Sequence, residues 1–225
     1  MNSRGIVKVG HRGAAGHEPE NTLAAVEKGI ELGADYIEVD VQRTRDSHLV
    51  LMHDKFVNRT TNGTGKVIDM SFQELRTLDA GRGQRIPLLH EVLDLANHRA
   101  GLILESITTG ITQGVFEEVS SFRFDGAIIF ASFHHLDLAR LRESKPQAET
   151  MALIEAVPVQ GAQFALDARA SCVGVSLDSM TKEFGQILHQ AGLRVFLYSA
   201  DSPEQIGLAK TMDPEGIISD YPERI

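Results

Sequence analysis

The sequence contains a single cysteine, Cys172, so no disulfide can form within one chain. A lone cysteine in an apolar run is typical of a small core residue, and we expect Cys172 to be buried. No apolar run reaches the ~20 residues that a membrane-spanning helix needs. The first residues, MNSRGIVKVGHRG, also lack the apolar segment of a secretory signal. These absences predict a cytoplasmic protein without a membrane anchor.

Positive charge is scarce as well. The 22 lysines and arginines are outnumbered by 31 aspartates and glutamates, which gives a formal net charge of −9. This balance argues against nucleic acid as a partner. If the substrate is an anion, a bound cation and local arginines must reverse the field at the site. The sequence leaves open whether the chain forms a homo-oligomer.

Short apolar runs alternate with longer helical patterns, which is typical of βαβ units around a parallel sheet. The predicted strands are Ile6–His11, Tyr36–Val41, Leu49–His53, Leu102–Glu105, Ala127–Ala131, Thr150–Ile154, Cys172–Leu177, Arg194–Ser199 and Gly216–Ser219. The predicted helices lie near Asn21–Leu32, Leu88–Asn97, Ile111–Ser120, His135–Glu143, Val159–Leu166, Lys182–Ala191 and Pro203–Lys210. This order predicts an α/β fold, a TIM-type (β/α)8 barrel, formed as a single domain by residues 1–225.

The predicted strands number nine, one more than such a barrel holds. Leu49–His53 is the expected surplus, because Gln42–Ser47 is too short for a helical crossover. A hairpin would bring His53 beside Asp40, but the sequence leaves the direction of this strand open. The following stretch, at about 54–86, breaks the alternation and is predicted to be a small insertion after the third strand.

Two acidic side chains lie on one face of the predicted strand Tyr36–Val41. Because side chains alternate along a strand, Glu38 and Asp40 point the same way, ~7 Å apart. Neighbouring buried carboxylates repel each other and are penalised by desolvation unless a divalent cation lies between them. The alternative is a solvated face on an edge strand. Glu105, at the end of another apolar run, is placed to supply a third oxygen ligand.

Two histidines occupy similar places at predicted strand ends. His11 ends one strand and precedes Arg12, and His53 ends another and precedes Asp54. A lone histidine there is more often structural, but a pair suits proton transfer, because imidazole takes and gives a proton near neutral pH. Arg12 can grip a phosphate with two parallel donors, or it can form an ion pair with Glu20.

These residues together resemble the glycerophosphodiester phosphodiesterases, and the similarity spans nearly the whole chain. Each motif is weak alone, but the N-terminal motifs are specific as a set. The matching segments are His11-Arg12-Gly13, Pro19-Glu20-Asn21-Thr22, the run from Gly33 to Val41, Thr44, Asp46, His53-Asp54, Arg59-Thr60-Thr61, Ile86-Pro87-Leu88, Ser132-Phe133 and the run from Gly216 to Pro222.

The resemblance implies a β/α barrel whose cofactor is one divalent cation, Mg²⁺ or Ca²⁺. The implied metal ligands are Glu38, Asp40 and Glu105, and the implied acid/base pair is His11 and His53. The implied reaction is the hydrolysis of glycerophosphodiesters, such as glycerophosphocholine or glycerophosphoethanolamine, to glycerol 3-phosphate and an alcohol. A neighbouring hydroxyl of the substrate would attack first and give a cyclic phosphate, which water then opens.

Several positions depart from the family pattern. The family lysine two residues after the third acidic ligand is replaced by Ile107, which removes a cation expected near the phosphate. The family tryptophan, threonine and asparagine near the last strands are replaced by Tyr198, Ser199 and Asp201, so a negative charge is added near the expected pocket. We predict that Arg12 and Tyr198 contact the substrate. Other cations lie in nearby loops, at Arg43, Lys55 and Arg59.

Two other functions stay open at this point. A lysophospholipase-D-like activity on lipid phosphodiesters would use the same residues, but it favours an apolar rim or an amphipathic loop, which the sequence does not reveal. The loss of the family lysine at Ile107 also suits a weakly active or non-catalytic barrel that binds phosphodiesters.

Overall fold

The computed structural model describes residues 5–225. The first four residues lie outside this range. They belong to the N-terminal stretch from which the absence of a secretory signal is predicted. The described residues form nine strands: β1 (Val7–Gly10), β2 (Tyr36–Arg43), β3 (Leu49–Leu51), β4 (Gly101–Ser106), β5 (Ile128–Ser132), β6 (Glu149–Ile154), β7 (Cys172–Ser176), β8 (Arg194–Tyr198) and β9 (Gly216–Ser219). The helices are α1 (Leu23–Glu31), α2 (Phe72–Arg76), α3 (Leu89–Ala96), α4 (Thr112–Phe122), α5 (His135–Ser144), α6 (Gln163–Asp167), α7 (Lys182–Gln190) and α8 (Pro203–Lys210).

Eight of these strands form a closed parallel ring. β1 pairs with β2 on one side and with β9 on the other, and the ring continues from β9 through β8, β7, β6, β5 and β4 to β2. Apolar residues from the helices pack against the outer side of the ring in two large clusters. The predicted TIM-type (β/α)8 barrel is therefore confirmed.

The ninth strand, β3, lies outside the ring and pairs antiparallel with the end of β2. A tight turn joins the two strands, in which the backbone N–H of Thr44 donates to the carbonyl oxygen of His48 at 2.9 Å. The surplus strand is thus the second strand of a hairpin, which decides the strand direction that the sequence left open. The N–H of Met52 donates to the carbonyl oxygen of Asp40 at 2.9 Å, so the chain leaving β3 returns to the acidic end of β2.

The stretch 54–86 contains helix α2 and a 3-10 turn at Val67–Asp69. Its apolar side chains form a small cluster of their own with the outer hairpin, made by Val50, Met52, Val57, Val67, Leu75, Ala80 and Ile86. The division of the chain into one domain with this insertion stays a prediction.

One helix begins four residues after its predicted start, whereas the others differ from their predicted bounds by at most two residues. The apolar spacing predicts a helix near Val159–Leu166, but α6 begins only at Gln163. A turn comes first, because the N–H of Gly161 donates to the carbonyl oxygen of Pro158 at 3.0 Å and Gly161 has a φ of +57°. Glycine adopts this left-handed conformation readily, and it interrupts the helix that the side-chain pattern alone suggests.

The interior of the ring is a packed apolar layer, which includes Ile103, Met151, Cys172 and Phe196. It forms the floor below the carboxyl ends of the strands. Cys172 is fully buried there, as expected. Within residues 5–225, none of the helices combines the length and apolar composition needed to cross a membrane.

Candidate active site

The carboxyl ends of the ring strands surround a cavity of about 210 Å³. Parallel strands bring these ends, and the loops after them, to the same end of a barrel. The cavity is lined by all the residues predicted as metal ligands, acid/base groups or substrate contacts: His11, Arg12, Glu38, Asp40, His53, Glu105 and Tyr198. The roles of these residues remain predictions, but their convergence on one cavity is a property of the fold.

The acidic side chains meet because of strand alternation and register. Val39 and its apolar neighbours pack outward against the helices, so Glu38 and Asp40 point into the ring. β2 pairs with β4 in a register that sets Asp40 beside Glu105. One carboxylate oxygen from each of the three residues lies within 4.8 Å of the others. Burial, and then the charges of Asp40 and Glu105, raise the pKa of Glu38 well above its ordinary value.

One fully buried oxygen of this cluster has no donor. Glu38 Oε2 accepts a hydrogen bond from the backbone N–H of Arg12 at 2.9 Å, whereas Glu38 Oε1 is buried without a partner among the described residues. A buried carboxylate oxygen without a donor is costly, and a hard cation satisfies it. Glu38, Asp40 and Glu105 therefore form an acidic cluster that can hold a metal ion.

His11 follows β1 and is oriented by the neighbouring strand end. Its Nδ1 lies 2.7 Å from Asp220 Oδ1, and its Nε2 lies 3.9 Å from Glu38 Oε2. With the proton on Nδ1 donated to Asp220, Nε2 is left free on the side of the acidic cluster. Asp220 is itself held by Asp201, whose Oδ1 accepts the backbone N–H of Asp220 at 2.7 Å.

His53 lies just beyond β3 and has an equivalent arrangement. Its Nδ1 is 2.7 Å from Asp54 Oδ1, and Arg59 Nε donates to Asp54 Oδ2 at 2.8 Å. The hydrogen bonds from Arg59 and His53 lower the pKa of Asp54 below its ordinary value. The Nε2 of buried Gln42 donates to the carbonyl oxygens of Met52, His53 and Asp54 at 2.8, 3.1 and 2.7 Å. The hairpin and this amide together fix the position of the imidazole.

Arg12 lies among three carboxylates. Its Nη1 donates to Glu20 Oε1 at 2.7 Å, which is the ion pair that the sequence left open, and its Nε lies 3.2 Å from Asp40 Oδ2. Asn21 bridges to the same carboxylate, since its Nδ2 donates to Asp40 Oδ2 at 2.7 Å and its Oδ1 accepts the N–H of Asp40 at 3.0 Å. Arg12 therefore lines the cavity with a restrained guanidinium.

The departures from the family pattern have different outcomes. Tyr198 lines the cavity, and its hydroxyl donates to the carbonyl oxygen of Ile154 at 3.0 Å. Ile107 does not line the cavity, and Asp201 is turned toward Asp220 instead of adding its charge there. The other cations considered from the sequence, Arg43, Lys55 and Arg59, do not line the cavity either. Among the described residues, Arg12 is the one arginine or lysine of the lining.

Sequence reasoning missed several residues of this site. It gave no role in the site to Asn21, whose side chain holds the carboxylate and the backbone N–H of Asp40. It gave no role to Gln42, although a polar residue two positions beyond Asp40 on the same strand face was a usable signal. It also overlooked the lining residues Phe133 and Glu155, which follow the apolar runs of β5 and β6.

Fold and cavity define a class: a β/α-barrel enzyme with an acidic cluster and two imidazoles at the carboxyl ends of its strands. Comparison with known sequences identifies the family. The pattern of the glycerophosphoryl diester phosphodiesterase family matches residues 11–224. The chain is 33% identical to the glycerophosphodiester phosphodiesterase of Caldanaerobacter subterraneus subsp. tengcongensis, over 96% of this chain and 95% of that protein. It is 34% identical to the glycerophosphodiester phosphodiesterase of Bacillus altitudinis, over 95% and 94%.

The chain therefore belongs to the glycerophosphoryl diester phosphodiesterase family. Solved structures agree on the fold. A glycerophosphodiester phosphodiesterase from Agrobacterium tumefaciens superposes with a TM-score of 0.85 at 29% identity and covers 98% of both chains. An Oleispira antarctica phosphodiesterase, in complex with its product sn-glycerol-3-phosphate, has a TM-score of 0.89 at 24% identity, over 96% of this chain and 94% of that one. The predicted family and enzyme class are confirmed.

Proposed function

We propose that this chain hydrolyses glycerophosphodiesters to glycerol 3-phosphate and an alcohol. One observation carries the proposal: two imidazoles, each held at Nδ1 by a carboxylate, line the same cavity as three clustered carboxylates. Phosphodiester cleavage needs one group to take the proton of the attacking hydroxyl and another to protonate the leaving alcohol. The substrate class is supported by the names of the relatives above 30% identity.

In this proposal His11 and His53 are the acid/base pair. Asp220 and Asp54 hold the two rings and leave each Nε2 available for proton transfer. The Arg12 guanidinium stabilises negative charge that develops on the phosphoryl oxygens. The ring of Tyr198 forms part of the wall against which the substrate packs.

The proposed cofactor is one divalent cation, Mg²⁺ or Ca²⁺, held by Glu38, Asp40 and Glu105. When bound, it supplies Lewis-acid polarisation of a phosphoryl oxygen. The proposal predicts that a chelator abolishes turnover. Adding back Mg²⁺ and Ca²⁺ separately to the chelated enzyme then identifies which ion restores it.

The acid/base assignment is tested by His11→Ala and His53→Ala. We expect each variant to lose at least about a hundredfold in kcat for release of glycerol 3-phosphate from glycerophosphoethanolamine, because general acid–base catalysis contributes on this scale. His98→Ala, at an exposed ring remote from the cavity, is the matched control. Circular dichroism checks that each variant stays folded, and unchanged turnover in a folded His11 or His53 variant would remove the assignment.

A lysophospholipase-D-like activity is the second candidate, because a second groove, near His53, combines basic and apolar side chains. This groove, of about 360 Å³, is lined in part by Gln42. The side chain of Gln42 also donates a hydrogen bond to the carbonyl oxygen of His53, so the groove lies close to the loop that carries this histidine. The exposed basic and apolar side chains of the groove are Arg43, Lys55, Phe56, Lys66 and Ile68. Phe56 is 48% and Ile68 49% exposed. Basic and apolar side chains on one surface suit a lipid with an anionic head.

Phe56→Ser separates the two substrate classes. If lipids are the substrate, wild type has the higher kcat/KM on lysophosphatidylcholine, and Phe56→Ser lowers that value while turnover of glycerophosphocholine is retained. If glycerophosphodiesters are the substrate, glycerophosphocholine is preferred and the variant behaves like wild type. Turnover of neither compound with Mg²⁺ or Ca²⁺ would favour the non-catalytic phosphodiester-binding barrel.

A further inference from the structure

The wall of the cavity opposite β1 combines two aromatic rings with one carboxylate. β6 lies across the ring from β1, four strands away in both directions. Glu155 follows β6 directly and lines the cavity together with Phe133 and Tyr198. The two aromatic rings are nearly perpendicular, at 89°, with their centroids 6.3 Å apart. Because the Tyr198 hydroxyl is used by the carbonyl oxygen of Ile154, this residue offers mainly its ring to a ligand.

Glu155 has no cationic partner in the part of the chain between residues 5 and 225. Burial, and then the charges of Glu155 and Glu105, raise the pKa of Tyr198. The charge of Glu155 is therefore felt at the aromatic wall of the cavity. The only arginine or lysine among the described lining residues is Arg12, which already faces Glu20 and Asp40. One carboxylate therefore remains after the metal-binding cluster and the guanidinium are accounted for.

A carboxylate beside aromatic rings is a typical recognition site for an ammonium group. The ring quadrupoles attract the cation, and the exposed carboxylate of Glu155 supplies the opposite charge beside them. A diester of phosphate and a cationic alcohol would span the cavity, with its phosphate near His11 and its ammonium near Glu155.

We propose that Glu155, Phe133 and Tyr198 form the subsite for a cationic alcohol group of the substrate, an ammonium or quaternary ammonium alcohol. The inference rests on the proposed phosphodiesterase function and adds a specificity-determining residue to it. The competing occupant of this wall is the glycerol moiety, whose hydroxyls could donate to Glu155. The two occupants differ in charge, and charge is what the experiment varies.

The test compares two substrates of nearly the same shape. Glycerophosphocholine carries a quaternary ammonium, and the glycerophosphodiester of 3,3-dimethylbutanol has a neutral carbon in its place. We expect wild type to prefer the choline ester, and Glu155→Gln to lower kcat/KM for it about tenfold more than for the neutral ester. Glu143→Gln, an exposed residue of α5, is the control and should keep the wild-type ratio.

Equal losses on both esters would overturn the proposal and assign Glu155 to the glycerol moiety. No loss on the choline ester would overturn it as well. If wild type hydrolyses neither ester, the proposed function fails separately, and tetramethylammonium bromide then serves as the probe of the subsite. Calorimetric titration should show binding to wild type that is about tenfold weaker in Glu155→Gln, and equal binding to both proteins would refute the subsite.

Discussion

At the scale of single residues, the buried carboxylates of the acidic cluster repel one another and are penalised by desolvation. Glu38 is 4% and Asp40 1% exposed. Burial and then the charge of Asp40 raise the pKa of Glu105 from 4.5 to about 8. A raised pKa means that the folded state favours the protonated carboxyl. Without a cation, the stability contributed by this carboxyl is present below pH 4.5 and is lost as the pH rises toward about 8.

A divalent cation should therefore stabilise the protein measurably. We predict that Mg²⁺ or Ca²⁺ raises the melting temperature of the metal-free protein, and does so more at pH 8 than at pH 5, because protons compete for the same oxygens. At about a hundred times its dissociation constant, a ligand adds ~2.7 kcal/mol to the free energy of unfolding. Scanning fluorimetry with an external dye measures the shift, since the chain has no tryptophan.

Glu38→Gln sharpens this measurement. The variant removes one of the mutually repelling buried charges, so we expect its metal-free melting temperature at pH 8 to equal or exceed that of wild type. The increase caused by the cation should disappear in this variant and persist in Glu143→Gln. A full cation-dependent increase in Glu38→Gln would show that the ion binds elsewhere.

At the scale of elements, the outer hairpin decides where one of the two imidazoles lies. β3 contributes nothing to the closed ring, but it returns the chain to the end of β2, where His53 meets the cavity. The side chain of Gln42 ties this return to β2 through its hydrogen bonds to three successive carbonyl oxygens. A strand outside the closed ring, with its side chains buried in the core, thus also positions a residue of the site.

Gln42→Ala tests this role of the hairpin. Loss of the buried amide leaves carbonyl oxygens without a donor, so we expect the free energy of unfolding to fall by about 1–3 kcal/mol in urea titrations. kcat should fall as well, because His53 is no longer fixed, while the cation-dependent rise in melting temperature stays, because Glu38 and Asp40 are untouched. Gln186→Ala, on the exposed side of α7, is the control. A variant as active as wild type would refute the positioning role.

At the scale of the whole molecule, the closed ring surrounds a packed apolar interior. Cys172 lies in this interior beside Met151 and Phe196 and is fully buried. Burial raises the pKa of its thiol from 9.0 to about 11. Folding therefore favours the neutral thiol, and the stability it contributes is present below pH 9 and is lost as the pH rises toward about 11.

The thiol should report opening of the entire barrel. We predict that Cys172 does not react with a disulfide reagent such as dithionitrobenzoate at pH 8 in the folded protein, because the thiolate is the reactive form and the residue is inaccessible. It should react rapidly in denaturing urea. The dependence of the rate on urea should follow the unfolding transition seen by circular dichroism. Rapid reaction without denaturant would show that the interior opens locally.

Local sequence was sufficient for the strands, most helices and the identity of the acidic residues. Apolar runs and side-chain alternation are properties of neighbouring residues, so the inward direction of Glu38 and Asp40 followed from Tyr36–Val41 alone. The turn at Gly161 that shortens α6 was misread, because a positive φ leaves no trace in the apolar spacing.

Only the tertiary structure decided which distant residues share the cavity. Asp220 and His11 are 209 positions apart and meet because β9 closes the ring against β1. Closure likewise turned Asp201 toward Asp220 and brought Glu155 into the cavity. The physical reason is that ring order and register are set by the packing of the whole barrel, whereas side-chain alternation is set by the backbone of a single strand.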